Sequence, residues 1–466
     1  MTASSPSPGS PAAKSGTSGT AASGARSGAP GASAAREATL NIAVRKARRR
    51  LVPFMMLLYV LAFLDRSNIG YAQQEYMLDT GIGEATFALG AGIFFVLYAF
   101  LGAPANLMMR KIGAQKWIGS IAVAWGLVSA CMAFADTPAK FLTIRLLLGV
   151  VEAGFFPGMI YLSSIFFPAK PRAYVMGLFY LGAPLALALG SPLSGALLQM
   201  HGFLGFPGWF WMFLIEGLLA AVVGCLAFFY FDDGPRSAKF LTPDERIVLA
   251  EAVEGEDSGS GVKSTLKDAF TNARVWTLAM AYFAIQVAVY GVVFYIPTQV
   301  ARLLGESVGF KVSLVVAIPW VVSLIGTWWF SKNATTPDRQ RIWSAGLLLA
   351  AGLSLGLSAH ASPILAIAAL CIVATGVIAC QPLFWTMPTN LLAGAALAAG
   401  IGFINTWGAV GGFVAPNLRV WFNEIFDTHQ SSVAGLWAVA AVAILGSFII
   451  VALKNRKDVG IESDVA

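Results

Sequence analysis

The chain has 466 residues, of which 57% are hydrophobic and only 12% charged, with a formal net charge of +7 and a mean hydropathy of +0.71. Soluble proteins carry roughly 25% charged residues, so a water-covered fold is excluded. Apolar residues fall in blocks longer than the ~18–20 needed to cross a bilayer, without short alternating runs, which excludes a β-barrel and predicts a polytopic α-helical membrane protein.

Residues 1–40 are mostly Ala, Gly, Ser, Pro and Thr, and 1–44 read as a disordered tail with no signal-peptide core. The basic stretch Arg45–Arg50 fits a juxtamembrane anchor. Twelve spans are expected, near 51–72, 85–109, 117–135, 141–166, 173–199 and 209–231, then 275–300, 310–331, 342–359, 362–390, 395–421 and 432–453. The long loop Asp232–Arg274 mixes acids and bases with a Gly-Ser run, Ser258-Gly-Ser-Gly261, and reads as a linker. The expected organisation is therefore a six-helix lobe over 45–231, a linker over 232–274, a second six-helix lobe over 275–453 and a tail over 454–466. A two-lobed transporter with that layout holds its site between the lobes near the midplane, and a monomer suffices.

Most of the 31 Lys and Arg fall in the tails and alternate loops of one side. Lys140, Arg302, Lys311 and Arg419 fall on the other side, and Arg66 and Arg145 within spans. This is the positive-inside bias of an inner or plasma membrane protein with both termini cytoplasmic, and it leaves no basic face for nucleic acid. Cys131, Cys225, Cys371 and Cys380 sit inside apolar spans as small core residues. His201, His360 and His429 all fall near loops of the far side, and no nucleophile, nucleotide or metal motif appears, so neither an enzyme nor a cofactor is expected. The glycine-rich stretches Gly190-Ser-Pro-Leu-Ser-Gly195 and Gly408-Ala-Val-Gly-Gly412 predict close helix packing.

An ionisable group inside a span costs about 2.5–3.5 kcal/mol, so each needs a reason. The first half has five, Asp65, Arg66, Arg145, Glu152 and Glu216, and the second half is expected to have none at depth. Arg145 and Glu152 are two turns apart on one face of span four, about 10 Å, with Gly149 between them. Asp65 and Arg66 are adjacent and point about 100° apart, so the economical pairing has Asp65 and Glu152 sharing Arg145 while Arg66 enters a cavity. Protonating an acid would then free a guanidinium for a carboxylate of the cargo; a static network locking span one to span four is the other reading. Glu216, beside an aromatic belt, fits a structural hydrogen bond. The second half offers uncharged groups, Gln286, Tyr290, Tyr295, Gln381, Trp385 and Asn405, and the first adds Tyr98; amides and phenols suit a polar organic anion. A membrane sensor is a distant alternative, with no sizeable soluble domain to receive its signal.

Leu61-Ala-Phe-Leu-Asp65-Arg66-Ser-Asn68-Ile-Gly70 and Arg145-Leu-Leu-Leu-Gly149-Val-Val-Glu152-Ala-Gly-Phe-Phe-Pro157 resemble the first- and fourth-span motifs of the anion:cation symporter family of the major facilitator superfamily. Phe384-Trp-Thr-Met-Pro-Thr389 and Ala398-Ala-Gly-Ile-Gly-Phe-Ile-Asn405 extend the resemblance. Within that family, Ile285-Gln-Val-Ala-Val-Tyr-Gly291 is similar to the sugar-acid transporters. The resemblance implies twelve helices in the major facilitator fold and proton-coupled uptake of an organic monocarboxylate by alternating access. L-rhamnonate is the leading cargo, ahead of other hexonates, tartrate or aromatic acids such as phthalate. It implies Arg66 as the carboxylate contact, Arg145 as the coupling residue, and Asp65 and Glu152 as proton carriers. One departure is Arg110-Lys-Ile-Gly113, which puts a base where the superfamily's loop after span two usually carries an acid.

Overall fold

The computed structural model describes residues 30–257, 271–391, 394–426 and 433–453, and every regular element among them is helical. Residues 1–29, the run 258–261, His429 and the tail 454–466 lie outside the described residues. A backbone in hydrocarbon must satisfy its own hydrogen bonds, and long apolar stretches do so as helices. The first lobe holds α1 (Pro30–Thr80), α2 (Glu84–Ile112), α3 (Ala114–Ala130), α4 (Pro138–Glu152), α5 (Phe155–Phe166), α6 (Ala169–Tyr180), α7 (Gly182–Leu198) and α8 (Gly208–Tyr230). After the linker helix α9 (Pro243–Asp257), the second lobe holds α10 (Ala273–Val293), α11 (Ile296–Leu304), α12 (Phe310–Asn333) and α13 (Pro337–Ser358). It ends with α14 (Pro363–Phe384), α15 (Thr386–Leu391), α16 (Gly394–Ile425) and α17 (Val433–Ala452). Among the described residues, 11 stretches are long and apolar enough to cross a membrane. The expected span at 395–421 lies within α16, whose 32 residues measure about 48 Å. Leu226, Phe229, Ile325, Leu445 and Phe448 point outward, which a bilayer accommodates and water does not.

Four expected spans are interrupted, at 153–154, 181, 294–295 and 385. The cause is the same each time. Pro157, Pro184, Pro297 and Pro388 lack the N–H that would bond the carbonyl four residues earlier, those of Ala153, Tyr180, Val293 and Phe384.

The side on which α1 begins is the near side. The lobes meet through α2 with α16 and α7 with α12, and the tight contacts lie toward the far side. A Cβ on Gly92 of α2 would lie 2.7 Å from Phe413 O and Asn417 Nδ2 of α16, and one on Gly70 would lie 2.6 Å from Phe294 O. A Cβ on Gly195 of α7 would lie 2.5 Å from the Ser313 side chain and 3.0 Å from Phe310 Cα, so that glycine run packs lobe on lobe. On the near-side halves, Gly177 and Gly402 have no heavy atom within 4 Å of the Cβ position.

Three expectations are corrected. Residues 30–44 are helical, because the first turns of α1 pack on α9, with Ala43 and Ala47 fully buried and Arg36 bonded to Glu251 at 2.5 Å. Cys131 and Cys225 lie on the exposed surface. The second lobe does bury a charge: Arg419 is 7% exposed, with its guanidinium 3.9 Å from the Tyr295 ring centroid, because α16 runs past it to Ile425.

The loop after span two takes its acid from elsewhere. Asp233, just past α8, accepts the Gln115 N–H at 2.9 Å at the start of α3. Gly113, at φ +96°, leaves room for that carboxylate, 2.6 Å from where a Cβ would stand.

The linker is anchored to the first lobe through Glu245. Its carboxylate accepts the Thr242 N–H at 2.9 Å while Thr242 Oγ1 accepts the Glu245 N–H at 3.4 Å, a capping box, and Lys46 of α1 donates to it at 2.7 Å. Burial works against the charge, but the Lys46 and Thr242 bonds outweigh it and hold the carboxyl below the usual glutamate range. A depressed carboxyl contributes its stability at neutral pH and loses it as pH falls through the lowered value. Hydrogen-exchange protection of α9 should therefore persist at pH 7 and fall only below about pH 4. Glu245→Ala should cost α9 about 1–2 kcal/mol at neutral pH, read as roughly tenfold faster exchange over 243–257.

Candidate functional site

A cavity with about 520 Å³ of empty space, part of it open to solvent, lies between the lobes, and each wall follows from helix periodicity. Tyr59, Phe63 and Arg66 occupy positions i, i+4 and i+7 of α1, one face. Opposite them, Tyr282, Gln286 and Tyr290 form the same kind of stripe on α10. Tyr98 of α2, Gln381 of α14 and Asn405 of α16 close the ring, with Tyr180 of α6 on the α1 side.

Arg66 is the charged group on this wall. Its Nη2 lies 2.5 Å from Glu152 Oε1, and both side chains are almost fully buried. Nη1 donates to Tyr290 OH at a long 3.5 Å, which ties the first lobe to the second. The Tyr98 and Phe94 ring centroids lie 4.9 and 5.5 Å from the guanidinium carbon, so the cation is held among aromatic faces. Among the described residues, Arg66 Nε and Gln286 Oε1 are buried without a hydrogen-bond partner. A donor of the arginine fork and an amide acceptor thus stand ready for a polar ligand.

The expected pairing of the four charges is corrected. Glu152 pairs with Arg66 and not with Arg145, since Glu152 is the last residue of α4 and lies beside α1 at the cavity level. Arg145 spends its fork on α2, donating from Nε to Gly90 O at 3.0 Å and from Nη2 to Ala91 O at 3.3 Å. Asp65 turns away from the cavity, as its 100° offset from Arg66 requires, and accepts from the Ser129 hydroxyl of α3. The Phe94 ring lies 5.4 Å from the Arg145 guanidinium as well, so it separates the two arginines. Gly149 makes this possible: a Cβ there would collide with Phe94 O. Glu216 is the hydrogen-bonded carboxylate foreseen for it, accepting from Asn68 Nδ2 at 3.1 Å and Ser194 Oγ at 2.7 Å.

Of the seven predicted ligand contacts, Arg66, Tyr98, Gln286, Tyr290, Gln381 and Asn405 line the cavity. Trp385 does not; it packs edge-on against Tyr282 at 4.9 Å. Tyr295 donates to Pro416 O at 3.2 Å, away from the cavity. Sequence reasoning missed Tyr59, Phe63, Tyr180 and Tyr282. Three of them were within reach, because Tyr59 and Phe63 lie on the Arg66 stripe and Tyr282 one turn from Gln286. Tyr180 carries no such signal, since its direction depends on the break at Leu181.

The family described as Major Facilitator Superfamily matches residues 55–416. The chain is 58% identical over 92% of its length, and 99% of the relative's, to the inner membrane transport protein RhmT of Escherichia coli strain K12. It is 40% identical over 91% of its length, and 94% of the relative's, to a putative tartrate transporter of Agrobacterium vitis. Among solved structures, the partially occluded inward-open xylose transporter XylE of E. coli superposes with a TM-score of 0.67 at 14% identity, covering 88% of this chain and 98% of that one.

Proposed function

Because this chain belongs to the major facilitator superfamily, as a multi-pass membrane transporter, we propose that it takes up a sugar monocarboxylate together with protons by alternating access, L-rhamnonate being the leading cargo. The observation that carries this reading is Arg66 on the wall of a cavity, paired behind that wall with the fully buried Glu152, while the other lobe offers neutral amides and phenols.

A cargo carboxylate and Glu152 compete for one guanidinium. When Glu152 takes a proton at Oε1, its hold on Arg66 weakens and the freed fork accepts the cargo carboxylate in two parallel bonds. Gln286, Gln381 and Asn405 then meet the hydroxyls of the cargo. Release of the proton re-forms the internal pair and expels the anion. Asp65, bonded to a neutral hydroxyl, is placed to carry a second proton, and Arg145 couples α4 to α2 through its carbonyl bonds. With one proton per monoanion the cycle is electroneutral; with two it moves one positive charge inward, driven by about 2.3 kcal/mol per 100 mV.

Arg145 being occupied, a single free guanidinium favours a monoanion over a dicarboxylate such as tartrate. The charge bias supports placing the near side in the cytoplasm of a bacterial inner membrane, with both termini there, so that the far-side seam makes this the inward-facing state. Each lobe pair encloses its own cavity, which supports a functional monomer.

Labelled L-rhamnonate should accumulate in proteoliposomes under an inward proton gradient and stop accumulating when a protonophore is added. Accumulation without dependence on the gradient would overturn the coupling. Uptake of tartrate or phthalate with none of rhamnonate would replace the cargo.

A further inference from the structure

The near-side end of α1 carries an interaction surface separate from the cavity. Over residues 51–73 the helix is covered by its neighbours except at Pro53 and Leu57, which are exposed. At 100° per residue these two point about 120° and 160° away from Tyr59, so they open on the flank opposite the cavity. That flank faces the bilayer. Phe54 stacks on Tyr230 at the end of α8 at 4.4 Å, and the neighbouring Leu226 and Phe229 point outward.

One turn further out the same strip becomes basic. Arg49 stands four residues before Pro53 and Arg45 four before that, both exposed. They lie about 3 and 9 Å beyond Leu51 along the helix axis, the depth of the lipid headgroups. Tyr174 of α6, itself exposed, has its ring centroid 5.5 Å from the Arg48 guanidinium, as a phenol of an interfacial belt would. We propose that Arg45 and Arg49 bind the phosphate of an anionic phospholipid of the near-side leaflet, with one acyl chain lying along Pro53 and Leu57.

Charge is the first argument. On α9, which docks against this end of α1, Glu245, Glu251 and Glu254 are spent on Lys46, Arg36 and Arg236 at 2.7, 2.5 and 2.7 Å. Among the described residues Arg45, Arg48 and Arg49 form no ion pair, which leaves a positive surplus at headgroup level. The second argument is the shape of the donors. Each guanidinium presents parallel N–H groups that match two phosphate oxygens, and two such forks one helical turn apart can hold one phosphate between them. A zwitterionic headgroup would bring its own ammonium among these bases and be repelled, whereas phosphatidylglycerol brings the phosphate charge alone. The third is continuity, since apolar side chains lead directly into the basic pair along one exposed strip, as a phospholipid does from chain to headgroup.

The test exchanges the purified full-length protein into mixed micelles of equimolar phosphatidylglycerol and phosphatidylcholine and counts retained lipids by native mass spectrometry. Wild type should retain phosphatidylglycerol over phosphatidylcholine by about tenfold. Arg45→Gln with Arg49→Gln should bring that ratio close to one, and Arg45→Lys with Arg49→Lys, which keeps the charge without the fork, should restore part of it. Arg36→Gln removes a base about 20 Å farther out than Arg49 and should leave the ratio unchanged. A wild-type ratio near one, or a ratio that Arg36→Gln lowers as much as the pair at 45 and 49, would overturn the site in favour of a general charge effect. Displacement of the retained lipid by soluble glycerol phosphate at matching concentration would overturn the lipid as its occupant. None of these outcomes bears on the carboxylate reading of Arg66.

Discussion

Arg66→Ala is expected to abolish accumulation, lowering kcat/KM for the carboxylate cargo by at least about 100-fold. Two losses add. The bidentate charge-assisted contact to the cargo disappears, and Glu152, whose side chain is fully buried, is left without its cation. Removing one partner of a buried pair costs about 3–5 kcal/mol, so the variant should also melt at a lower temperature. Arg66→Lys separates the effects: it keeps a charge for Glu152 and regains stability, but an ammonium lacks the fork and should recover only part of the binding. The double variant Arg66→Ala with Glu152→Gln removes the orphaned charge, and should melt higher than Arg66→Ala while remaining inactive. A stability deficit unchanged by the second substitution would show that the orphaned Glu152 charge is not what destabilises Arg66→Ala. Binding is read by calorimetry and stability by thermal unfolding in detergent.

Glu152→Gln carries the second large effect. In wild type, cargo affinity should rise as pH falls, because protonation of Glu152 releases Arg66, and should level off once Glu152 is fully protonated. Glutamine imitates that neutral state permanently. The variant should bind cargo at high pH about as well as wild type does at low pH, with a flat pH profile. Exchange of cargo across the membrane should persist, while accumulation under an imposed proton gradient should drop by tenfold or more. A pH profile as steep as wild type's would move the proton to another group, and Asp65→Asn would then be the variant to measure.

The five buried ionisable groups of the first lobe were legible because an ionised group in a span has no neutral explanation. Their azimuths along one helix were legible too: α1 shows Arg66 to the cavity and Asp65 away from it. What the chain does not display is the rotation of one helix against the next. That rotation decides that Glu152 meets Arg66 and that Arg145 meets the carbonyls of Gly90 and Ala91. Backbone carbonyls are invisible to any reasoning that pairs side chains. Arg419 was misplaced for a simpler reason, since a charge six residues from a helix end reads as a loop charge until the helix is seen to run on. Trp385 fell one step outside the wall because the break at that residue ends α14 there and turns its ring onto Tyr282. Glycines were the better guide: Gly149, Gly195 and Gly412 each mark a surface where another helix or side chain fills the missing Cβ.

The proline interruptions of the spans bear on how cargo becomes sealed in. Each removes one rung of the backbone ladder, three of them next to Glu152, Tyr180 or Trp385 and the fourth next to Phe294 in the far-side seam. A rod weakened at one height bends there while both halves stay straight. The near-side ends of three of these spans, Phe155–Phe166, Ala169–Tyr180 and Thr386–Leu391, can therefore fold inward over a bound acid like the fingers of a hand, while the far-side seam stays shut and neither lobe turns as a whole. Trapping the cargo and turning the carrier over are then separate mechanical events. An agent that stiffens the fingers would leave cargo able to enter and leave from one side, yet unable to cross.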